Sequence, residues 1–177
     1  MSNTIIMING SARSGKNTVV EYMTNALDKQ TGGILHYSST IAPFKELALN
    51  HFNWDTNKDE AGRKLLSDLK MAYIEYNPDF IINFVISNLN MLDPHPHNIL
   101  VIDSREVDEI KRVKLYFPQI KYKVVTLLIE RPDQEVPNNV GDMNVTRGIT
   151  YDYVICNNGS KELLEQKVIK FMQTITT

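Results

Sequence analysis

Residues 4–20 read TIIMINGSARSGKNTVV. An apolar run stops at Gly10, and Gly15-Lys16 then opens a stretch in which Val19, Val20, Met23, Ala26 and Leu27 recur at helical spacing. Gly32 and Gly33 end that helix. The run Thr4 to Ile8 is therefore a strand, followed by a glycine-rich turn and a helix. Glycine at 10 and 15 permits backbone angles that other residues resist. In such a turn the N–H groups of Gly10, Ser11, Ala12, Arg13, Ser14, Gly15, Lys16, Asn17 and Thr18 converge on one concavity. The starting helix adds the positive end of its dipole.

That arrangement suits a phosphate. The spacing Gly-x-x-x-x-Gly-Lys places Lys16 to reach the outer phosphates of a nucleotide as a mobile charge, with Arg13 over them. A glycine-rich turn carrying an exposed lysine is the plainer alternative. Asn17 stands where a Ser or Thr hydroxyl usually faces Mg²⁺. Its amide oxygen can still serve a hard cation, directly or through water. Thr18 is rotated by ~100° around the helix and points elsewhere.

Strand-like and helix-like segments alternate along the rest of the chain, the pattern of an α/β domain with a parallel sheet. Ile34 to Tyr37 is a weak second strand. Helices are expected over Ile41 to His51 and Asp59 to Tyr76, the latter with Leu65, Leu66, Leu69, Ala72, Tyr73 and Tyr76 on one face. Asn77-Pro78 starts another helix that runs to about Leu92. NILVID, residues 98–103, is a continuous apolar run ending in an aspartate, as expected of a central strand. Glu106 to Tyr116 reads as a helix, Val124 to Ile129 and Tyr153 to Cys156 as strands. Residues 131–150 form a polar loop. Ser160 caps a closing helix with Leu164, Val168, Phe171 and Met172 inward. Five strands with helical crossovers make a three-layer α/β/α sandwich, a single domain over residues 1–177.

Composition narrows the function classes. Hydrophobic residues make up 42% and charged residues 23%, and the net charge of -2 gives neither a nucleic-acid polymer nor a membrane surface a reason to bind. One cysteine, Cys156, excludes an internal disulfide and a cysteine-rich metal site, and a buried, inert thiol is expected. No apolar run approaches a bilayer span, and no leader pattern opens the chain, so a cytoplasmic location is expected. Asp93, His95 and His97 sit in a turn-rich loop before the third strand, opposite the phosphate turn, and read as a loop rather than a metal site.

NGSARSGKNT (residues 9–18) resembles the phosphate loop of deoxynucleoside monophosphate kinases and the related adenylate-kinase-like proteins, where Asp or Asn can follow the lysine. WDTNKDEAGRKLLSDLK (54–70), IDSREVDEI (102–110) and YDYVICNNGSKELL (151–164) resemble further blocks of those families in the same order. The resemblance implies the P-loop NTPase fold with sheet order 2-3-1-4-5 and ATP as phosphoryl donor. It also implies a substrate-gripping helical region over about residues 41–92 and a lid over about 131–150.

On this reading Lys16 and the loop amides hold ATP. Asp103 and Asn17 order Mg²⁺, and Arg105, Arg131 and Arg147 neutralise developing charge. Asp103 could instead cap the following helix, and Arg105 could pair with Glu106 or Glu109. Lys45, Asp59, Arg63 and Lys64 are the candidates for the phosphoryl acceptor, with a solvated helix face as the alternative. Asn157, Asn158 and Gly159 either cradle the adenine through backbone groups or form a plain Asn-Gly turn. Gly141 and Gly148 could hinge the lid, which also carries Asp133, Glu135 and Asp142. The expected activity is transfer of the γ-phosphoryl group of ATP to a small phosphorylated acceptor, foremost a (deoxy)nucleoside monophosphate. A kinase of another small molecule, such as phosphomevalonate, shares the fold. Asn17 and a lid with two arginines keep a non-catalytic ATP-binding regulator open as well.

Overall fold

The structure, a computed structural model, describes residues 4–93, 95–132 and 148–176. Strand β1 (Thr4–Asn9) is buried along its whole length and pairs in parallel with β3 (Ile99–Asp103) on one side and β4 (Lys123–Glu130) on the other. Strands β2 (Leu35–Ser39) and β5 (Tyr153–Cys156) close the two edges, giving the order β2-β3-β1-β4-β5. Edge position explains why the second strand reads weakly: its residues are half-buried or exposed, so no apolar run is required.

Side chains of β1 alternate between two cores, as the two-residue period of a strand demands. Ile6 and Ile8 face α1 (Lys16–Thr31) and α6 (Lys161–Thr176), meeting Val19, Met23, Leu27, Val168 and Met172. Ile5 and Met7 face α4 (Phe80–Leu89) and α5 (Val107–Tyr116), meeting Ile81, Val85, Ile110 and Val113. The three layers and the inward residues of α1 and α6 agree with the reading of the sequence. Among the described residues no helix is long and apolar enough to cross a membrane.

Between β2 and α4, helices α2 (Ala42–His51) and α3 (Glu60–Tyr76) share a small core of Ala48, Trp54 and Leu66. Here the sequence reading needs correction. Helix α3 buries Gly62, Leu66 and Lys70, while Tyr73 and Tyr76 are exposed, Tyr76 at 87%. The helix packs on a narrow partner, so a count of apolar residues overstates its buried face. Helix α4 is shorter than expected, because residues 77–80 form a turn closed by Phe80 N–H donating to the Asn77 carbonyl at 3.0 Å. Cys156 is half-buried on the edge strand rather than enclosed. Of the expected lid, Arg147, Gly141, Asp133, Glu135 and Asp142 lie outside the described residues.

Candidate active site

Parallel strands bring all their carboxyl ends to one edge, and in open α/β sheets that edge is where ligands bind. Chain leaving β1 there enters the glycine-rich turn. Gly10 has φ 152°, Arg13 62° and Gly15 102°, so the loop is built on left-handed or related backbone angles at three points. Two of the three are glycine, as sterics require. A Cβ on Gly10 would lie 2.5 Å from the Ile129 carbonyl oxygen and 2.7 Å from Ser14 Oγ; on Gly15 it would lie 2.5 Å from Asn157 Nδ2. The glycines therefore admit both the loop path and its supports.

Those supports are specific. Asn9, fully buried, accepts the Gly10 N–H at 2.7 Å and donates to Tyr151 Oη at 2.8 Å. Asn157 donates to the Ser14 carbonyl at 2.9 Å and so props the loop from β5. Lys16 Nζ donates to the carbonyls of Gly10 at 2.6 Å and Ser11 at 3.3 Å, folding the ammonium back over the loop. Ser14 Oγ is buried with no hydrogen-bond partner among the described residues. A mobile ammonium and an unsatisfied hydroxyl beside a left-handed turn fit a polyphosphate. Asn17 is exposed in the first turn of α1, and Thr18 is half-buried.

Across from the loop stands Asp103, its Cα paired in register with Ile8. Its carboxylate accepts from Tyr37 Oη at 3.2 Å. Burial, and then the Asp103 charge, push the Tyr37 phenol far above its ordinary value, which keeps the proton on the tyrosine. Asp103 does not cap α5: the residue before that helix is Glu106, and no side chain caps it. Glu106 and Glu109, the alternative partners for Arg105, both turn to Lys70 instead.

The structure brings Lys45 to Asp103 and Arg105. Partial burial first, then the charge of Lys58, and also that of Arg105, hold the Lys45 ammonium below its ordinary pKa against the opposing pull of Asp103. Lys45 therefore lies within electrostatic reach of Lys58, Arg105 and Asp103, the last at the carboxyl end of β3. The remaining acceptor candidates are placed differently. Asp59 caps α3, accepting the Gly62 N–H at 2.8 Å, and Lys64 pairs with Asp68 at 2.6 Å on an exposed helix face. Arg63 is exposed in the first turn of α3, and Arg131 is exposed directly after β4, at the same sheet edge. Asp93, His95 and His97 lie before β3, away from this edge, and among the described residues no group of three potential metal ligands occurs.

Sequence reasoning missed Asn9, Tyr37, Lys58 and Lys70, and assigned Asn157 only a backbone part. For Lys70 a signal existed: Gly62, Leu66 and Lys70 recur every four residues, so a helix that buries the first two carries the third inward. The other four are visible only once distant segments are brought together.

No family model and no curated protein matches the chain. Solved structures do. An APS kinase from Mycobacterium tuberculosis, in complex with AMPPNP and APS, superposes at a TM-score of 0.52 with 12% identity over 97% of this chain and 98% of that one. A protein of Chloroflexus aurantiacus, whose description goes no further than kinase, gives 0.56 at 10% identity over 98% of both chains. A hexameric APS kinase from Thiobacillus denitrificans gives 0.50 at 12% identity, covering 99% of this chain and 30% of that one. The fold is that of these P-loop kinases. The five-stranded parallel sheet in the order β2-β3-β1-β4-β5 confirms the topology that the resemblance implied.

Proposed function

We propose that this protein is an ATP-dependent phosphotransferase that moves the γ-phosphoryl group of ATP onto a small phosphorylated acceptor, a (deoxy)nucleoside monophosphate. One observation carries the reading. A backbone-lined cradle with Lys16 over it and a carboxylate amid cations, Asp103 with Lys45, Lys58 and Arg105, face each other at one sheet edge. Phosphoryl transfer is mostly positioning and charge stabilisation, and this arrangement supplies both.

In this mechanism Lys16 leaves the Gly10 and Ser11 carbonyls for the outer phosphates, and loop amides other than those of Gly10 and Ser14, which bond Asn9 Oδ1 and the Ser11 carbonyl, hold the rest of the chain of phosphates. Ser14 Oγ gains the partner it lacks. Asp103 and the exposed Asn17 would hold Mg²⁺ through one or two oxygens, the usual protein share for a Mg²⁺–nucleotide complex, and the ion would supply charge neutralisation there. Lys45 and Lys58, with Arg63, receive the anionic group of the acceptor. Arg105, Arg131 and Arg147 neutralise charge that develops on the transferring group.

The acceptor has a second reading. A neighbour in fold is seen with AMPPNP and APS, and a lysine–arginine group of this kind also suits a sulfate-bearing nucleotide. Coupled ADP release, measured over a panel of nucleoside and deoxynucleoside monophosphates, APS and phosphomevalonate, tests the proposal. ADP formation dependent on one monophosphate is the expected result. Dependence on APS or phosphomevalonate selects another acceptor class. Tight ATP binding with no turnover on any compound replaces the kinase by a nucleotide-binding regulator.

A further inference from the structure

Lys70 is a charged side chain only 3% exposed, and its surroundings are more elaborate than a chance burial. Its ammonium donates to Thr40 Oγ1 at 2.9 Å, to Glu106 Oε2 at 2.6 Å and to Glu109 Oε2 at 3.0 Å. Thr40, Ser104 and Glu109 are themselves buried, and Ser104 Oγ donates to the same Glu109 oxygen. Lys70 stands on α3, Thr40 in the β2–α2 turn, and Ser104 and Glu106 in the β3–α5 turn. One ammonium thus joins three separate pieces of the carboxyl edge.

The joined pieces are those that carry the acceptor side of the site. Thr40 N–H donates to the Asp103 carbonyl at 3.0 Å, and Ser104 N–H donates to the Ile8 carbonyl at 3.2 Å. The Arg105 carbonyl accepts from Asn9 Nδ2 at 3.4 Å. Asp103 and Arg105 flank Ser104, so their backbone is held from both sides, and the Asp103 carboxylate accepts from Tyr37 Oη. Removing charges from water is expensive, and apolar residues of equal volume are usually at least as stabilising as a buried ion pair. What such a network provides beyond stability is direction: each hydrogen bond fixes an angle that an apolar contact leaves free.

We propose that Lys70 is a positioning residue, whose contacts with Thr40, Glu106 and Glu109 set the Asp103–Arg105 turn against the acceptor-side helices. The inference rests on the kinase reading for its consequence in turnover, but not for its consequence in structure. The test compares wild type with Lys70→Met and with Lys70→Met/Glu109→Gln, the second removing the buried carboxylate that the first leaves unpaired.

Amide hydrogen exchange is followed at Thr40 and Ser104, with Val19, which donates to the Gly15 carbonyl at 3.0 Å, as the reference in the phosphate loop. ADP release on the acceptor panel and calorimetric binding of AMPPNP with Mg²⁺ complete the set. The expected result is faster exchange at Thr40 and Ser104, unchanged exchange at Val19, AMPPNP affinity as in wild type, and turnover lower by roughly 10²-fold, the cost of a small misplacement of reacting groups. Unchanged protection at Thr40 and Ser104 in the double variant overturns the proposal whatever turnover does, and so does wild-type turnover in that variant. If wild type itself turns over none of the panel, the kinase reading fails separately. Exchange alone then decides whether Lys70 sets the turn.

Discussion

The phosphate loop and the turn after β3 lie side by side at the same sheet edge, yet they are held in different ways. In the first, the groups proposed to face a ligand are mainly backbone amides, on a loop bent by torsion angles such as the 152° and 102° at Gly10 and Gly15. In the turn from Asp103 to Glu106 the proposed groups are side chains, on a backbone held by Thr40, Ile8 and Asn9 and with the Glu106 carboxylate held by Lys70. Backbone donors need only the right glycines nearby in sequence. Side-chain placement here needs a partner 36 residues away, Lys70, which is itself tied to Thr40. The first kind of site tolerates change in its surroundings, and the second spreads its sensitivity over a network.

The largest expected effect is on Lys16, the cation folded over the loop. Lys16→Ala should lower turnover by about 10²–10³-fold, the range for losing one well-placed charge-stabilising donor. The melting temperature should stay close to that of wild type, because Lys16 is only half-buried and these contacts are made within its own loop. Steady-state rates with a thermal melt on the same preparation check both halves, and equal activity would remove Lys16 from the mechanism.

Gly10→Ala attacks the loop through its path instead. The new methyl meets the Ile129 carbonyl and Ser14 Oγ inside van der Waals distance, and overpacking of this kind costs about 1–3 kcal/mol. Urea unfolding should show a lowered midpoint, with ATP-analogue affinity falling too, since the amides are re-aimed.

On the acceptor side the effects are smaller and depend on pH. The Lys45 ammonium is held below its ordinary value, so it loses its proton earlier on the alkaline side than a free lysine does. Acceptor KM should therefore rise as pH is raised through that depressed range, while ATP KM stays flatter. Lys58→Met removes a neighbouring cation that lowers the Lys45 value, and should move the rise to higher pH. A profile unaltered by that substitution would separate the two lysines.

A control lies in an ion pair that belongs to neither region, although it directly follows Tyr151. Asp152 accepts from Thr126 N–H and Oγ1 at 2.9 and 2.8 Å and pairs with Lys114 at 2.7 Å. Partial burial works against its charge, but Lys114 and the Thr126 hydrogen bonds outweigh it and hold the carboxyl below its ordinary value. A carboxyl depressed by folding contributes stability that is present above its unfolded value, near ~3.9, and is lost as pH falls through the folded one. Asp152→Asn should lower the melting temperature at neutral pH and flatten its decline in acid, with turnover the least affected of the set.

How much of this was legible follows the same division. The strand–turn–helix unit, the faces of α1 and α6 and the NILVID strand were readable because each depends on local periodicity and on glycine spacing. The α3 face was legible only in part: Leu65, Leu66 and Leu69 do turn to the small core and Tyr73 packs edge-on against Phe44 of α2 at 5.7 Å, but Tyr76 faces solvent and the inner row is completed by a lysine. Lys45 was found as a candidate, whereas its neighbour Lys58 was not, since the loop from Asn53 to Asp59 has no period to read. Asp59 lies where the acceptor-side resemblance put it, but its carboxylate goes to a helix cap. Capping and ligand binding use the same residue types, and only contacts tell them apart.

Trp54, the chain's single tryptophan, packs with Ala48 and Leu66 and donates its indole N–H to the Asn57 carbonyl at 2.9 Å, within the short segment that also bears Lys58. Indole emission depends on local polarity and on that hydrogen bond, and no second tryptophan contributes background. Events on the α2–α3 side can thus be followed by fluorescence in the unlabelled, unsubstituted protein, in real time and separately from any assay of product.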